Sequence, residues 1–211
     1  HIGGNAALKA AFGCRIDVPT GLHAAIAEWD EDALLLSPLG QQSARFQHDS
    51  LLEWQTVIGN NNFLMEGSHI SHDTKMGHRN VLGYGTKIAG DCLIGNGVIF
   101  SSSVIENAGT RVGDLAMIQA GTTFSKDVPP YIIAGGTPVG YGGPNNTIMK
   151  ASGIDERVQK HVANAYRLLF HGQVSVFDAV LQIIEQVPDG PEIQEIVRFV
   201  KATKKGIISK M

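Results

Sequence analysis

Cysteine is scarce in this chain of 211 residues. Cys14 and Cys92 stand far apart and build no disulfide framework, so a reducing, cytoplasmic setting is expected. The sequence has no unbroken apolar run long enough to span a bilayer, and it has no secretory leader pattern. An excess of positive charge is also missing: the net charge of −3 removes the electrostatic reason to expect nucleic acid. No Met opens the chain, which begins His1-Ile2-Gly3; both a missing upstream segment and a tag remnant at His1 fit that start. What remains, 43% hydrophobic and 18% charged, suits a globular chain with one core and an appendage.

Glycine is plentiful, with 25 residues, and so is a beat of six. The beat starts at Ile58 and continues through Leu64, Ile70, Met76, Leu82, Ile88, Ile94 and Phe100. Glu106 interrupts it, and it resumes at Val112, Ile118 and Phe124. Gly follows the apolar residue at 59, 77, 83, 95 and 113. A period of six is neither the 3.6 of a helix nor the 2 of a half-buried strand. It marks a hexapeptide β-helix, in which each repeat is a short strand and a turn, and three repeats close a coil. The frame residues point inward and bury one another only when coils stack. Tyr84 and Phe100 are expected to pack within the coil.

Around this core the chain divides into zones. Residues 1–56 keep a faint spacing through Ile2, Leu8 and Cys14 and then lose it, so irregular or degenerate first coils are expected. Ala33-Leu34-Leu35-Leu36 reads as a buried strand and Ser37-Pro38-Leu39-Gly40 as a turn. Residues 57–135 are the coil, which Pro129-Pro130 should terminate. Residues 136–153 read as a loop. Residues 154–211 change to a helical period, with Val158, Val162, Ala165, Leu168 and Leu169 on one face and Gly172 as a stop. Ser175 should cap a second helix with Val176, Val180, Ile183 and Ile184 apolar. A third follows Pro188-Asp189-Gly190-Pro191, with Ile193, Ile196, Val197 and Val200 inward, and ends near Lys204-Lys205-Gly206.

Chemistry concentrates in Gly67-Ser68-His69-Ile70-Ser71-His72-Asp73. A carboxylate beside an imidazole can hold the tautomer and stabilise the imidazolium, which suits general-base removal of a proton from an alcohol. A surface histidine on a turn explains the same residues, and both readings stand at this point. A metal site built from His69, His72 and His78 lacks a fourth ligand, since Cys92 reads as core.

Three stretches carry a resemblance. They are Ile58-Gly59-Asn60-Asn61-Asn62-Phe63-Leu64-Met65, His69-Ile70-Ser71-His72-Asp73 and Asp127-Val128-Pro129-Pro130-Tyr131-Ile132-Ile133-Ala134. With Asn164-Ala165-Tyr166-Arg167-Leu168-Leu169 and the ending Lys205-Gly206-Ile207-Ile208, they resemble the UDP-N-acetylglucosamine acyltransferase family of lipid A synthesis over residues 57–211. Tyr131-Ile-Ile-Ala-Gly and the Pro191–Val200 stretch resemble its Bacteroidetes branch. The resemblance implies a left-handed parallel β-helix, with a C-terminal helical domain, in a homotrimer with sites between subunits. It implies no resident cofactor or metal: acyl carrier protein brings a 3-hydroxyacyl thioester on its phosphopantetheine arm, and the sugar 3-hydroxyl of the nucleotide sugar attacks it. By position, His72 is the expected base, Asp73 its orienting acid, and the Gly90 N–H the oxyanion donor. His69, Asn107, Asn145 and Lys150 are expected at the substrate, and Gln119 and Ala120 at the acyl pocket.

The chain departs from that family at several points. Asp91 follows Ile88-Ala89-Gly90 where a His is usual, and Asn107-Ala108 replaces a His-Gln pair. In Asn145-Asn146-Thr147-Ile148-Met149-Lys150-Ala151-Ser152, Thr147 replaces an acid, and Ala151 and Ser152 replace arginines, leaving Lys150 as a point charge. The departures leave two further readings open: a related acyltransferase with a different acceptor, and a non-catalytic trimeric binding subunit. Arg198, Lys201, Lys204, Lys205 and Lys210 make the C-terminal region basic. A solvated helix face explains this, and so does docking of an acidic carrier protein by the first four.

Overall fold

The computed structural model describes residues 17–19, 49–51 and 56–210. The chain forms two compact units, His1–Gln55 and Thr56–Met211. In the first, β1 (Asp17–Pro19) and β2 (Asp49–Leu51) pair in parallel, with Asp17 opposite Asp49. The expectations for Ile2, Leu8 and Cys14, and for a strand and turn over residues 33–40, lie outside the described residues.

In the second unit the beat of six becomes a left-handed parallel β-helix, the known exception to right-handed crossovers. Its first coils are β3 (Val57–Ile58), β4 (Phe63–Leu64), β5 (His69–Ile70), β6 (Lys75–Met76), β7 (Val81–Leu82) and β8 (Lys87–Ile88). The next are β9 (Leu93–Ile94), β10 (Ile99–Phe100), β11 (Ile105–Glu106), β12 (Arg111–Val112), β13 (Met117–Ile118) and β14 (Thr123–Phe124). Each strand pairs with the one three repeats later, giving three faces: β3-β6-β9-β12, β4-β7-β10-β13 and β5-β8-β11-β14.

The second residue of each strand is the frame residue, and all are buried from Met76 to Phe124. Glu106 is among them, so the charged exception keeps the register and points inward. Ile58 and Leu64 of the first described coil are 44% and 46% exposed. A second buried column stands two residues before the frame: Thr74, Asn80, Thr86, Cys92, Val98, Val104, Thr110, Ala116 and Thr122. These are small residues, because a β-helix corner leaves room for little else. Their hydroxyls hold corner carbonyls, as Thr74 Oγ1 donates to Ala89 O at 3.0 Å and Thr86 Oγ1 to Ser101 O at 3.1 Å. Each corner also passes through the left-handed region once every six residues, at Asn61, Gly67, Asp73, Arg79, Gly85 and Asp91 onward. Gly, Asn and Asp occupy that conformation at least cost.

The prolines do not end the pairing. Val128 bridges to Val112, and β15 (Ile132–Gly135) pairs in parallel with β13, because Pro129 and Pro130 lie in the corner and no ladder needs their missing N–H. The segment expected as a loop contains β16 (Gly140–Pro144), antiparallel to β15, and a short helix α1 (Asn146–Ala151). Glycines at 140, 142 and 143 hid that strand from a propensity reading.

Three longer helices follow. α2 (Glu156–His171) starts where Asp155 accepts the Arg157 N–H, and Gly172 caps its end. α3 (Val176–Gln186) is capped by Ser175, which accepts from the Asp178 N–H. α4 (Pro191–Lys201) ends a few residues before the expected lysines. Tyr166 ties α2 to the coil by donating to Pro130 O at 2.6 Å, and Tyr141 stacks on Phe170 with centroids 4.4 Å apart. On α3 only Ala179, Val180 and Ile183 are buried; Val176 and Ile184 face outward. β17 (Ser209–Lys210) adds to β16.

Candidate active site at a coil corner

His72 occupies the corner between β5 and β6. Residues at one corner stack at intervals of eighteen, so Gly90 and Ala108 lie above it, while Asp91 and Gly109 lie above Asp73. The His72 Nδ1 lies 2.7 Å from Asp73 Oδ2, and the imidazole side chain is 67% exposed against 17% for the acid. With Nδ1 engaged, Nε2 is left to face a substrate. The ring lies flat against Gly90. A Cβ there would sit 2.6 Å from His72 Cε1 and 2.7 Å from Nε2, so any larger residue would push the imidazole away. Gly90 itself is buried. Its carbonyl accepts the Gly109 N–H at 2.9 Å, whereas its own N–H bonds to none of the described residues. A base and an unspent backbone donor therefore share one corner. That arrangement can deprotonate an alcohol and hold the oxyanion formed when the alcohol attacks a carbonyl.

Asp91 adds a second carboxylate. One ligand atom each from His72, Asp73 and Asp91 lies within 4.8 Å of the others, the single such grouping of three among the described residues. A divalent cation would find one nitrogen and two oxygen donors there. His78, weighed with His69 and His72 as a ligand, belongs to a different corner, between β6 and β7. There its Nδ1 accepts the Asn60 N–H at 2.8 Å.

The other anticipated residues divide by face. His69 lies on the same face as Lys87 and is exposed, one strand before the corner. Asn107 is exposed at the same corner, two coils above Ser71. Gln119 and Ala120 are exposed at the corner between β13 and β14, with Gln119 lying against Gly135. Asn145 is buried, and its Nδ2 donates to Leu115 O at 3.0 Å. Lys150 is exposed in the last turn of α1. Within one chain, α1 stands beside the β4-β7-β10-β13 face and not beside the His72 corner: Ile148 and Ala151 line a groove with Val81 and Ile99.

Arg198, Lys201, Lys204 and Lys205 are exposed. Lys205 reaches the His72 corner column, donating to Ala108 O at 2.6 Å. At one strand spacing per coil, that is about 10 Å above His72. A groove of about 420 Å³ lined by Asp91, Leu93, Gly109, Arg111, Lys204 and Lys205 joins the two ends. Arg111 is held at its edge by stacking 4.2 Å from the Phe199 ring centroid. The sequence marked Asp91 only as a departure from the family pattern; its place eighteen residues after Asp73 was the signal that it joins the site. Tyr84, expected in the packing, is 59% exposed, while Phe100 is fully buried.

Known proteins resemble this chain over the coil and the C-terminal helices. Residues 127–208 match the family profile described as Udp N-acetylglucosamine O-acyltransferase, Domain 2. Residues 55–90 match that of the bacterial transferase hexapeptide (six repeats). The chain is 30% identical over 154 residues to the acyl-[acyl-carrier-protein]–UDP-N-acetylglucosamine O-acyltransferase of Xylella fastidiosa, covering 72% of this chain and 59% of that protein. Identity to the protein of the same name from Rhizobium etli is 30% over 155 residues, 74% of this chain and 57% of that one. The chain thus spans less than two thirds of the length of the curated relatives it matches. Among solved structures, the UDP-N-acetylglucosamine acyltransferase of Bacteroides fragilis matches with a TM-score of 0.69 and 40% identity, over 70% of this chain and 58% of that one. The Acinetobacter baumannii structure matches with a TM-score of 0.69 and 29% identity, over 72% and 59%.

Proposed function

The chain belongs to the UDP-N-acetylglucosamine O-acyltransferase family, and from that premise we propose that it is an acyltransferase of lipid A synthesis. It moves a 3-hydroxyacyl group from acyl carrier protein to the sugar 3-hydroxyl of UDP-N-acetylglucosamine. His72 Nε2 takes the hydroxyl proton, and Asp73 steadies the imidazolium through Nδ1. The freed oxygen attacks the thioester carbonyl, and the Gly90 N–H holds the resulting oxyanion. Collapse breaks the carbon–sulfur bond, and the imidazolium returns its proton to the leaving pantetheine sulfur. The observation that carries this reading is the unspent Gly90 N–H beside a carboxylate-tethered imidazole. A single oxyanion donor is worth about 2.7–4 kcal/mol of barrier.

The carrier protein docks on Arg198, Lys201, Lys204 and Lys205, and its arm follows the groove past Asp91 to His72. The working unit is a homotrimer, for which the outer row Phe63, Val81, Ile99, Met117 and Ile133 supplies an apolar column on one face. A neighbouring subunit is what brings Lys150 and the α1 segment towards a His72 corner. Among the described residues no helix is long and apolar enough to cross a membrane, and a cytoplasmic enzyme is the setting that fits.

A second reading keeps the same chemistry with another acceptor. It is favoured by Asp91 beside His72, and by Asn145 being spent on Leu115 O. The test is transfer from 3-hydroxyacyl carrier protein to UDP-N-acetylglucosamine by the trimeric protein. Acylated sugar nucleotide is the expected product. Transfer to a different sugar nucleotide in its place would establish the second reading, and no transfer to any would end both. Reversing charge at Lys201 and Lys204 should weaken carrier-protein binding at low salt; unchanged binding would remove the docking assignment.

A further inference from the structure

The frame residue that breaks the apolar column lies directly behind the His72 corner. Glu106 is one rung from Ile88, and its backbone carbonyl accepts the Ala89 N–H at 3.0 Å. Its side chain is fully buried inside the coil between Ile88 and Phe124, where an aliphatic residue would pack without polar cost. Oε1 accepts from Thr110 Oγ1 at 2.9 Å, and Oε2 has no partner among the described residues. The Cys92 thiol links Thr110, the partner of this carboxyl, to the turn: Sγ lies 3.8 Å from Thr110 Oγ1, 3.6 Å from Gly90 O and 3.5 Å from Asn107 O. The carbonyl under Cys92 is thus that of Gly90, the residue against which the His72 ring lies.

We propose that Glu106, acting through Cys92 and Thr110, is a positioning residue for acyl transfer. As a neutral acid it holds the Ala89-Gly90-Asp91 turn, and with it the Gly90 N–H, beside His72. This rests on the acyl-transfer reading for its functional meaning, and on the geometry alone for the coupling between the coil interior and the corner.

Burial pushes the Glu106 carboxyl up to about 8; the Thr110 bond and the nearby Cys92 thiol offset part of this, and the Asp127 charge adds to it. Burial, with Glu106 beside it, pushes the Cys92 thiol up to about 11. The groups that face Glu106 are therefore Cys92 and Thr110 from the turns, and Asp127 at longer range. β8 and β14 turn Lys87 and Thr123 outward and present Ile88 and Phe124. No cation faces the carboxyl from these elements, so its ionisation must be met by movement of the turn that Cys92 and Thr110 brace.

The experiment follows the Gly90 and Asp91 amide NMR signals and kcat against pH, in wild type and Glu106→Gln. In wild type the Gly90 amide should titrate with a midpoint near the Glu106 ionisation. One pH unit above that midpoint, kcat should stand at about a tenth of its plateau, the course of a single ionisation. In Glu106→Gln both the amide titration and the alkaline limb should vanish while the plateau persists. An amide titration or an alkaline limb unchanged by that variant would overturn the proposal. Should Glu106→Gln fail to fold, Thr110→Val removes a bond that favours the ionised form and must move the midpoint to higher pH; an unmoved midpoint overturns the proposal equally. The amide readout needs no turnover. A Glu106-dependent titration in a protein that transfers no acyl group would retain the coupling and reject the acyl-transfer reading.

Discussion

Two corners of the same coil place a histidine in the same kind of turn, and they spend it differently. At the corner between β6 and β7, His78 Nδ1 accepts the Asn60 N–H. The His78 N–H donates to Asn96 Oδ1 at 2.9 Å, and the Asn96 N–H to Asp114 Oδ1 at 2.9 Å. Asn60, His78, Asn96 and Asp114 stack at intervals of eighteen, each satisfying the one before. At the corner between β5 and β6, the stack His72, Gly90 and Ala108 has no such ladder. Glycine and alanine leave the space over the turn open, and His72 fills it from one rung away. The contrast shows how one repeat yields both scaffold and site. A corner whose polar atoms bond to one another is structure, and a corner that keeps a donor and a base unspent is available for chemistry.

The largest expected effect sets the interior behind one corner against the other. Because the folded-state carboxyl of Glu106 is raised, its contribution is fully present below the ordinary carboxylate range and is lost as pH rises through about 8. Urea unfolding of wild type should therefore lose stability across that window, by roughly 1 kcal/mol or more per pH unit, while Glu106→Gln stays flat. Amide-exchange protection, after correction for the intrinsic pH dependence, should fall at Asp91, whose N–H donates to His72 O, and persist at Asn96.

Gly90→Ala comes next. Its Cβ would meet the imidazole, so kcat should fall about a hundredfold with little change in fold, as single-turnover kinetics and circular dichroism would report. Asp114→Ala should do the reverse. It strips the partner from the Asn96 N–H and from Asn96 Nδ2, costing about 1–3 kcal/mol of stability, while turnover per folded molecule is kept. His78→Ala is the mildest, under about 1 kcal/mol, because water can reach the Asn60 N–H.

The frame column was legible because Leu, Ile, Met, Phe and Val repeat at six with little exception. The second column was not: Thr74, Asn80, Cys92, Val98 and Ala116 share small size, not hydropathy, and only the corner geometry unites them. Glu106 read as an interruption because a charge ordinarily faces water, yet the register holds it inside with Thr110 and Cys92 for company. The helix cap at Ser175 was readable from residue type, since its hydroxyl oxygen can accept a backbone N–H at a helix start, as it does from Asp178. The outward Val176, Phe177, Leu181 and Ile184 were not, because apolar spacing alone does not say which face of α3 meets the molecule. At the site, the His72-Asp73 pair was readable, whereas Asp91 and the ladder role of His78 needed the stacking of coils to appear.

The most direct test sets the two histidines against each other in one assay, acyl transfer from 3-hydroxyacyl carrier protein by His72→Ala and His78→Ala at matched folded concentration. The account predicts a loss of about 10²–10⁴ in kcat for His72→Ala and near wild-type turnover for His78→Ala. Equal losses in the two variants, or turnover that survives His72→Ala, would contradict the assignment of the chemistry to the unspent corner.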